Sequence, residues 1–192
     1  MNFLHRRLCR SAYWKRTVET QLLPWTLNGV DLGSNVLEVG PGPGVTTDLL
    51  RTRVARLTCV EIDSALADSL SRRLAGRNVT VLHEDASSMR LPDATSDAAV
   101  SFTMLHHVPS VEQQDRLLAE VARVLRPGGI FAGTDSLSSA FFRMLHIRDT
   151  MVVVDPQSFR VRLEAAGFID SFIEVGPRAF RFHARRPADR AN

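Results

Sequence analysis

Three glycines at alternate positions, Gly40, Gly42 and Gly44, follow the apolar run from Asn35 to Val39 and precede a stretch from Val45 to Arg56 with helical spacing. Glycine there lets backbone approach a bound group closely, and a strand passing through a tight turn into a helix is the context in which this serves chemistry. The dinucleotide fingerprint G-x-G-x-x-G needs glycine at position 45, where Val45 stands. A P-loop, which needs G-x-x-x-x-G-K before Ser or Thr, is excluded because the only lysine, Lys15, lies far upstream. Glu61 closes the next apolar run, 21 residues after Gly40. An acid at that place in a doubly wound sheet accepts hydrogen bonds from ribose hydroxyls. Glycines and acid together predict a cofactor that carries a nucleoside.

Other chemistries lack their residues. His5, His83, His106, His107, His146 and His183, with Cys9 and Cys59, show no metal-ligand spacing along the chain, so no metal is expected. There is no G-x-S-x-G elbow for a hydrolase.

The elements that must position the glycines and Glu61 read as alternating strands and helices. Strands are predicted at Asn35 to Val39, Leu57 to Ile62, Val79 to His83, Ala98 to Met104 and Ile130 to Thr134. Helices are predicted at Val45 to Arg56, Ser64 to Ala75, capped by Ser64 or by Asp63, and Val111 to Leu125, stopped at Arg126-Pro127-Gly128-Gly129. Such alternation implies a parallel sheet covered on both faces. Pro156 to Ala166 reads as a last helix, and Ser171 to Val175 with Ala179 to Ala184 as a hairpin around Gly176-Pro177. Ahead of all this, residues 3 to 28 carry apolar positions at near-helical spacing, one or two amphipathic helices broken around Pro24.

These motifs carry a resemblance. Glu38-Val39-Gly40-Pro41-Gly42-Pro43-Gly44, Glu61 after the second strand, Glu84-Asp85-Ala86 after the third and Leu125-Arg126-Pro127-Gly128-Gly129 before the fifth resemble the class I S-adenosylmethionine-dependent methyltransferases, over about Asn35 to Phe131. The resemblance implies an α/β, doubly wound, Rossmann-like, mostly parallel seven-stranded sheet with its last strand antiparallel and an N-terminal helical cap. It divides a single domain of 1–192 into a cap (1–31), a cofactor-binding core (32–135), an acceptor lid (136–155) and the last helix with the terminal hairpin (156–185). It implies S-adenosylmethionine as cofactor and S-adenosylhomocysteine as product. Matched residue by residue, Glu38 would order the methionine end, Gly40, Gly42 and Gly44 would form the loop under the cofactor, and Glu61 would hold the ribose hydroxyls. Ile62 would pack on adenine, Asp85 and the Ala86 backbone would read its edge, and Phe102, Thr103 and Met104 would line the space near the methyl sulfonium. The implied branch is the small-molecule, quinone and natural-product one.

Methyl transfer from sulfur is an in-line displacement, so positioning can supply much of the acceleration. A hydroxyl acceptor gains from a general base. His106 and His107 follow the fourth strand, where neighbouring side chains of an extended segment diverge, and His106 is the candidate base. Asp135 after the fifth strand resembles a ligand of magnesium-dependent catechol methyltransferases, but the fourth strand ends without the partner acid. The D/N-P-P-aromatic motif of base amino-methylating enzymes is replaced by Ser101-Phe102-Thr103-Met104, and neither cysteine stands where RNA cytosine-C5 enzymes need one.

Acceptor-lining candidates are Tyr13, Trp14 and Trp25 in the cap, His107 after the fourth strand, and Phe141, Phe142, Met144, His146 and Met151 in the lid; they suit an aromatic or lipid-like small molecule. The chain has 192 residues, 44% hydrophobic and 23% charged, enough for one domain that buries roughly 70% of its unfolded surface without disulfide staples. Its net charge of +3 comes from the two ends, and the middle holds no basic stripe, so a nucleic-acid partner is not expected. Arg6, Arg7, Arg10 and Arg16 keep an anionic, RNA or protein acceptor open, and a non-catalytic cofactor-binding module is the remaining alternative. No apolar run of membrane-spanning length and no signal peptide is visible, and a cytoplasmic protein is expected.

Overall fold

In the computed structural model, which describes residues 11–147 and 149–189, the apolar runs become seven strands of one sheet. They are β1 (Asn35–Val39), β2 (Arg56–Glu61), β3 (Val79–His83), β4 (Ser96–Phe102), β5 (Leu125–Ser136), β6 (Ile169–Val175) and β7 (Ala179–Arg185). Their order is β3-β2-β1-β4-β5-β7-β6. The first five pair in parallel, and β7 runs antiparallel to both of its neighbours, β5 and β6. Successive crossovers lead away from β1 in one direction to β2 and β3 and in the other through β4 to β5. That reversal opens a crevice beyond the carboxyl ends of β1 and β4, where doubly wound sheets bind ligands.

Both faces are covered, which is why the strands read as continuous apolar runs. Leu37, Val39, Val60, Ala99 and Phe131 point into one core with α5 (Val111–Val124) and α7 (Pro156–Ala165), where the rings of Phe131, Phe159, Phe180 and Phe182 pack together. Val36, Leu57, Cys59, Ala98 and Val100 face the other way, toward α3 (Val45–Leu50) and α4 (Ser64–Arg73). Strand alternation puts Glu38 on this second face, beneath α3.

The N-terminal region differs from its expected form. Pro24 does not break the helix: α1 (Ala12–Thr17) passes through a π-helical segment (Val18–Leu22) into α2 (Leu23–Thr26) with helical torsions at each junction. The wider π turn, closed by Leu23 N–H donating to Val18 C=O, relieves the clash of a proline ring with the carbonyl four residues earlier. Trp25 then anchors α2 on the far edge of the sheet, its Nε1 donating to Glu174 at 3.1 Å. Expectations placed on Phe3, Leu4, Arg6, Arg7, Leu8, Cys9 and Arg10 lie outside the described residues.

Three boundaries also move. The helix after the glycine turn ends at Leu50 rather than Arg56, because Asn78 Nδ2 donates to the carbonyls of Arg51 and Val54, both at 2.9 Å, and ties the chain into a turn. β5 begins at Leu125, directly at the end of α5, and an irregularity in its pairing with β4 accommodates Pro127 and the two glycines. The segment expected as a lid contains the short helix α6 (Ala140–Leu145), capped by Ser139 Oγ accepting from Phe142 N–H at 3.0 Å. Of the two cap candidates for α4, the structure uses Asp63, whose Oδ1 accepts from Ala65 and Leu66 N–H.

Candidate functional site

The turn after β1 is shaped by torsions that favour glycine. Gly40 has φ +65°, and a Cβ there would run into the Met104 side chain; Gly44 has φ +86° and would meet Leu70 and Arg73. Gly42 N–H donates to Glu61 Oε2 at 2.9 Å, while Asp63 N–H donates to Oε1 at 3.0 Å. Glu61 is thereby held at the end of β2 with one lone pair left on each oxygen. His83 at the end of β3 lies 3.1 Å from the Ile62 carbonyl, and Asp85 Oδ1 accepts from Ser87 N–H at 2.8 Å, so the turn after β3 is fixed beside them.

A cavity of about 330 Å³ opens at this crevice. Of the residues singled out from sequence, Gly40, Gly42, Glu61, Ile62, Asp85, Ala86, Phe102, Thr103, Met104, Trp14 and His107 line it. Ile62 presents an apolar surface that is 63% exposed. Thr103 has φ +50°, a left-handed torsion unusual for a β-branched residue, and its N–H donates to Thr134 C=O at 2.8 Å. Apolar lining comes from Trp14, Val18 and Leu22 of the N-terminal helix with Val108 and Leu117, and Gln113, Asp149 and Thr150 add polar groups beside them. No lysine or arginine lines the cavity among the described residues, whereas Glu61, Asp63, Glu84, Asp85 and Asp149 do.

Other candidates stand elsewhere. Glu38 is buried behind the glycine turn, its Oε2 accepting from Thr47 at 2.6 Å and its Oε1 from Thr46. Burial pushes its carboxyl up from the usual range, against the pull of those hydroxyl bonds. Gly44 caps α3 behind the cavity wall. Tyr13 does not line the cavity: about 100° around the helix from Trp14, it is 72% exposed. The backbone of Phe141 lies in α6, and its side chain falls outside what the structure describes.

His106, the candidate base, does not line the cavity either. The residues after β4 form a 3₁₀ turn (Leu105–His107) instead of an extended segment, so the two imidazoles do not diverge but meet at a centroid distance of 4.2 Å. His107 takes the cavity wall, and His106 turns inward, its Nδ1 2.5 Å from Asp135 Oδ1 and its backbone N–H donating to Asp135 Oδ2 at 3.1 Å. His146 is buried against both, where desolvation lowers its pKa.

Sequence reasoning overlooked Gln114. Buried on α5, it donates through Nε2 to the carbonyls of Leu105 (3.0 Å) and Val152 (2.8 Å), while Val152 N–H donates to His106 C=O at 2.8 Å. These bonds fasten the histidine turn to the segment after β5, which brings Asp149 and Thr150 to the cavity. A glutamine inside an amphipathic helix gives no signal of such a role.

The residues present fit a nucleoside-bearing cofactor: a turn whose glycine cradle a Cβ would fill, carboxylates on the rims of β2 and β3, and an apolar surface at Ile62 between them. The fold is shared with known structures. A structure titled as a SAM dependent methyltransferase from Aquifex aeolicus superposes with a TM-score of 0.75 at 21% identity, covering 96% of this chain and 98% of that one. The chain belongs to the methyltransferase domain family, whose sequence pattern matches residues 37–133. S-adenosylmethionine is the cofactor of that fold and family.

Among curated relatives, an uncharacterized methyltransferase of Mycobacterium tuberculosis is 35% identical over 104 residues, 54% of this chain and 51% of that protein. A fatty-acid O-methyltransferase of Mycolicibacterium smegmatis is 38% identical over 106 residues (54% and 38%). A ribosomal RNA small subunit methyltransferase A of Fusobacterium nucleatum is 38% identical over 92 residues (47% and 35%). The chain thus matches about half the length of the first of these relatives and less of the others. No helix of the described residues is long and apolar enough to cross a membrane.

Proposed function

We propose that this protein binds S-adenosylmethionine in the cavity beyond β1 and β4 and transfers its methyl group to a small-molecule acceptor, phenol- or quinol-like or lipid-like. The observation that carries the reading is the composition of the cavity wall: glycine backbone, Glu61 and Asp85 at the strand ends, together with apolar Trp14, Val18, Leu22, Val108 and Leu117. When bound, S-adenosylmethionine would supply an electrophilic methyl carbon, with S-adenosylhomocysteine as the leaving group and the proton of a hydroxyl acceptor passing to solvent.

The chain's own contribution is placement. Glu61 would hold the ribose hydroxyls by its two remaining lone pairs, Ile62 would pack on adenine, and Asp85 with the Ala86 backbone would read the adenine edge. Glu38 acts at one remove, holding Thr46 and Thr47 at the start of α3 beneath the methionine end. Phe102, Thr103 and Met104 exclude water near the sulfur, and alignment of the two reactants then lowers the barrier by up to roughly 7–11 kcal/mol. His106 is given no proton transfer, since its ring is not on the wall. A wall rich in carboxylates suits a cationic sulfonium and repels a polyanion, which weighs against RNA despite the ribosomal RNA relative.

Calorimetric titration with S-adenosylmethionine and S-adenosylhomocysteine, with NAD and NADP as controls and Glu61→Ala alongside, tests the cofactor. Saturable binding of the first two, weakened roughly 30–150-fold in the variant, is expected. Radiolabelled methyl transfer to a panel of phenols, quinols, fatty acids and total RNA then tests the acceptor. Preference for NAD overturns the reading, and label on RNA alone overturns its small-molecule half.

A further inference from the structure

Histidines without ligand spacing along the chain come together in the fold. His106 and His107 sit on the turn after β4, and His146 follows α6 in the segment after β5. One ring nitrogen from each lies within 4.8 Å of the others. The three rings are in mutual contact, with centroid separations of 4.2, 5.0 and 5.2 Å.

The outward nitrogens of two of them are already committed. A carboxylate oxygen 2.5 Å from His106 Nδ1 keeps the proton on that nitrogen, which leaves the lone pair on Nε2. His106 is 1% exposed, and its Nε2 is buried with no hydrogen-bond partner. Leaving such an atom unsatisfied is costly unless a ligand takes its lone pair. His146 Nδ1 is 2.8 Å from the Phe142 carbonyl, which can only accept, so this ring too carries its proton on Nδ1 and its lone pair on Nε2. Holding one imidazole nitrogen by a carboxylate or a backbone carbonyl while the other faces inward is how metal-binding histidines are oriented.

We propose that His106, His107 and His146 bind one divalent d-block cation of the zinc class through three imidazole nitrogens, leaving a coordination position open toward the cavity that His107 lines. A purely nitrogen donor set selects zinc, cobalt, nickel or copper over magnesium and calcium, which take oxygen. Asp135 is not a ligand in this arrangement but the positioning residue for His106. Zinc–nitrogen bonds of roughly 2.0–2.1 Å require the three nitrogens to draw together by about 1 Å. An ion there would hold an acceptor oxygen or sulfur at the edge of the cavity and favour release of its proton to solvent. That consequence rests on the proposed methyl transfer; the ion site does not.

The test titrates tag-free, chelator-stripped full chain with Co²⁺ in the absence of S-adenosylmethionine, following the visible ligand-field absorption, and then displaces it with Zn²⁺. Saturation at one equivalent is expected, with affinity at least about 100-fold weaker in His146→Gln and about 10–100-fold weaker in Asp135→Asn. His146 lies outside the sheet and does not itself line the cavity, so unchanged thermal unfolding and S-adenosylmethionine binding in His146→Gln show that the variant is folded. Lack of saturable Co²⁺ uptake by the wild type overturns the proposal, as does a folded His146→Gln that binds Co²⁺ as tightly. S-adenosylmethionine binding is read separately, so loss of either site is distinguished from loss of the other.

Discussion

Two sides of one cavity are built in opposite ways. On the side formed by the ends of β1, β2 and β3, the lining groups come from three successive strand-end turns. On the other side Trp14, His107, Gln113 and Asp149 come from an N-terminal helix, a 3₁₀ turn, α5 and the segment after β5, joined only by tertiary contacts. The first side has its geometry dictated by local torsions and a strand repeat. The second depends on pairs such as Gln114 with Val152 and His106 with Asp135, far apart along the chain. Cofactor geometry is therefore hard to alter without breaking the turn, whereas the acceptor side can be rebuilt by changing helix faces.

The strongest test of this contrast is Gly40→Val. The φ of +65° and the collision with Met104 leave no room for a side chain, and calorimetry should find S-adenosylmethionine affinity reduced by more than about 100-fold. Binding within tenfold of wild type would show that the turn is not the rigid half. Glu61→Ala should follow. It removes two hydroxyl acceptors and frees Gly42 and Asp63 N–H, for a loss of about 2–3 kcal/mol in binding free energy, or roughly 30–150-fold in Kd.

The same contrast explains what could be read from residues alone. Strand positions, the glycine turn and the place of Glu61 were legible because each is a local pattern: apolar runs of strand length, glycines at alternate positions, an acid at a fixed spacing; the order of the strands in the sheet is not local and came only from the structure. The reversed position of β7 between β5 and β6 agrees with the hairpin read from Gly176-Pro177. His106 facing inward was not legible, because the residues after β4 alternate only if extended, and the 3₁₀ turn that prevents this is held by Gln114 from a distant helix. The histidine cluster was hidden for the same reason, since the spacing of His146 from His106 along the chain carries no ligand signal. Pro24 misled because a proline normally ends a helix, and the π turn that admits it has no marker in residue types.

On the acceptor side, Gln114→Leu leaves the Leu105 and Val152 carbonyls without their donor, with an expected loss of about 2 kcal/mol in unfolding free energy by chemical denaturation. S-adenosylmethionine affinity should change less than threefold, because no cofactor contact is lost. A large loss of cofactor affinity would mean that the two sides are coupled. Beneath the turn, the sign of the Glu38 effect is fixed by its burial. Its folded pKa lies above the unfolded value near 4.5, so ionisation opposes folding, and its stabilising contribution is full below that value and declines as pH rises through the folded pKa. Denaturation midpoints of Glu38→Gln and wild type, compared from pH 4.5 upward, should diverge in favour of the variant; parallel profiles would place ionisation outside the folding equilibrium.

The smallest effect separates neighbours on one helix. Tyr13 is 72% exposed and off the wall, whereas Trp14 lines the cavity. Tyr13→Ala should shift stability by less than about 0.5 kcal/mol and leave both cofactor binding and methyl transfer within twofold of wild type. Trp14→Ala removes an indole from the apolar wall and should raise the acceptor KM by about tenfold while leaving S-adenosylmethionine Kd within threefold, since the strand-end groups that hold the cofactor are untouched. Equal effects of the two substitutions would show that the N-terminal helix merely covers the sheet. A selective effect of Trp14 on the acceptor makes that helix part of the binding wall, and makes its exposed face, with Tyr13, irrelevant to it.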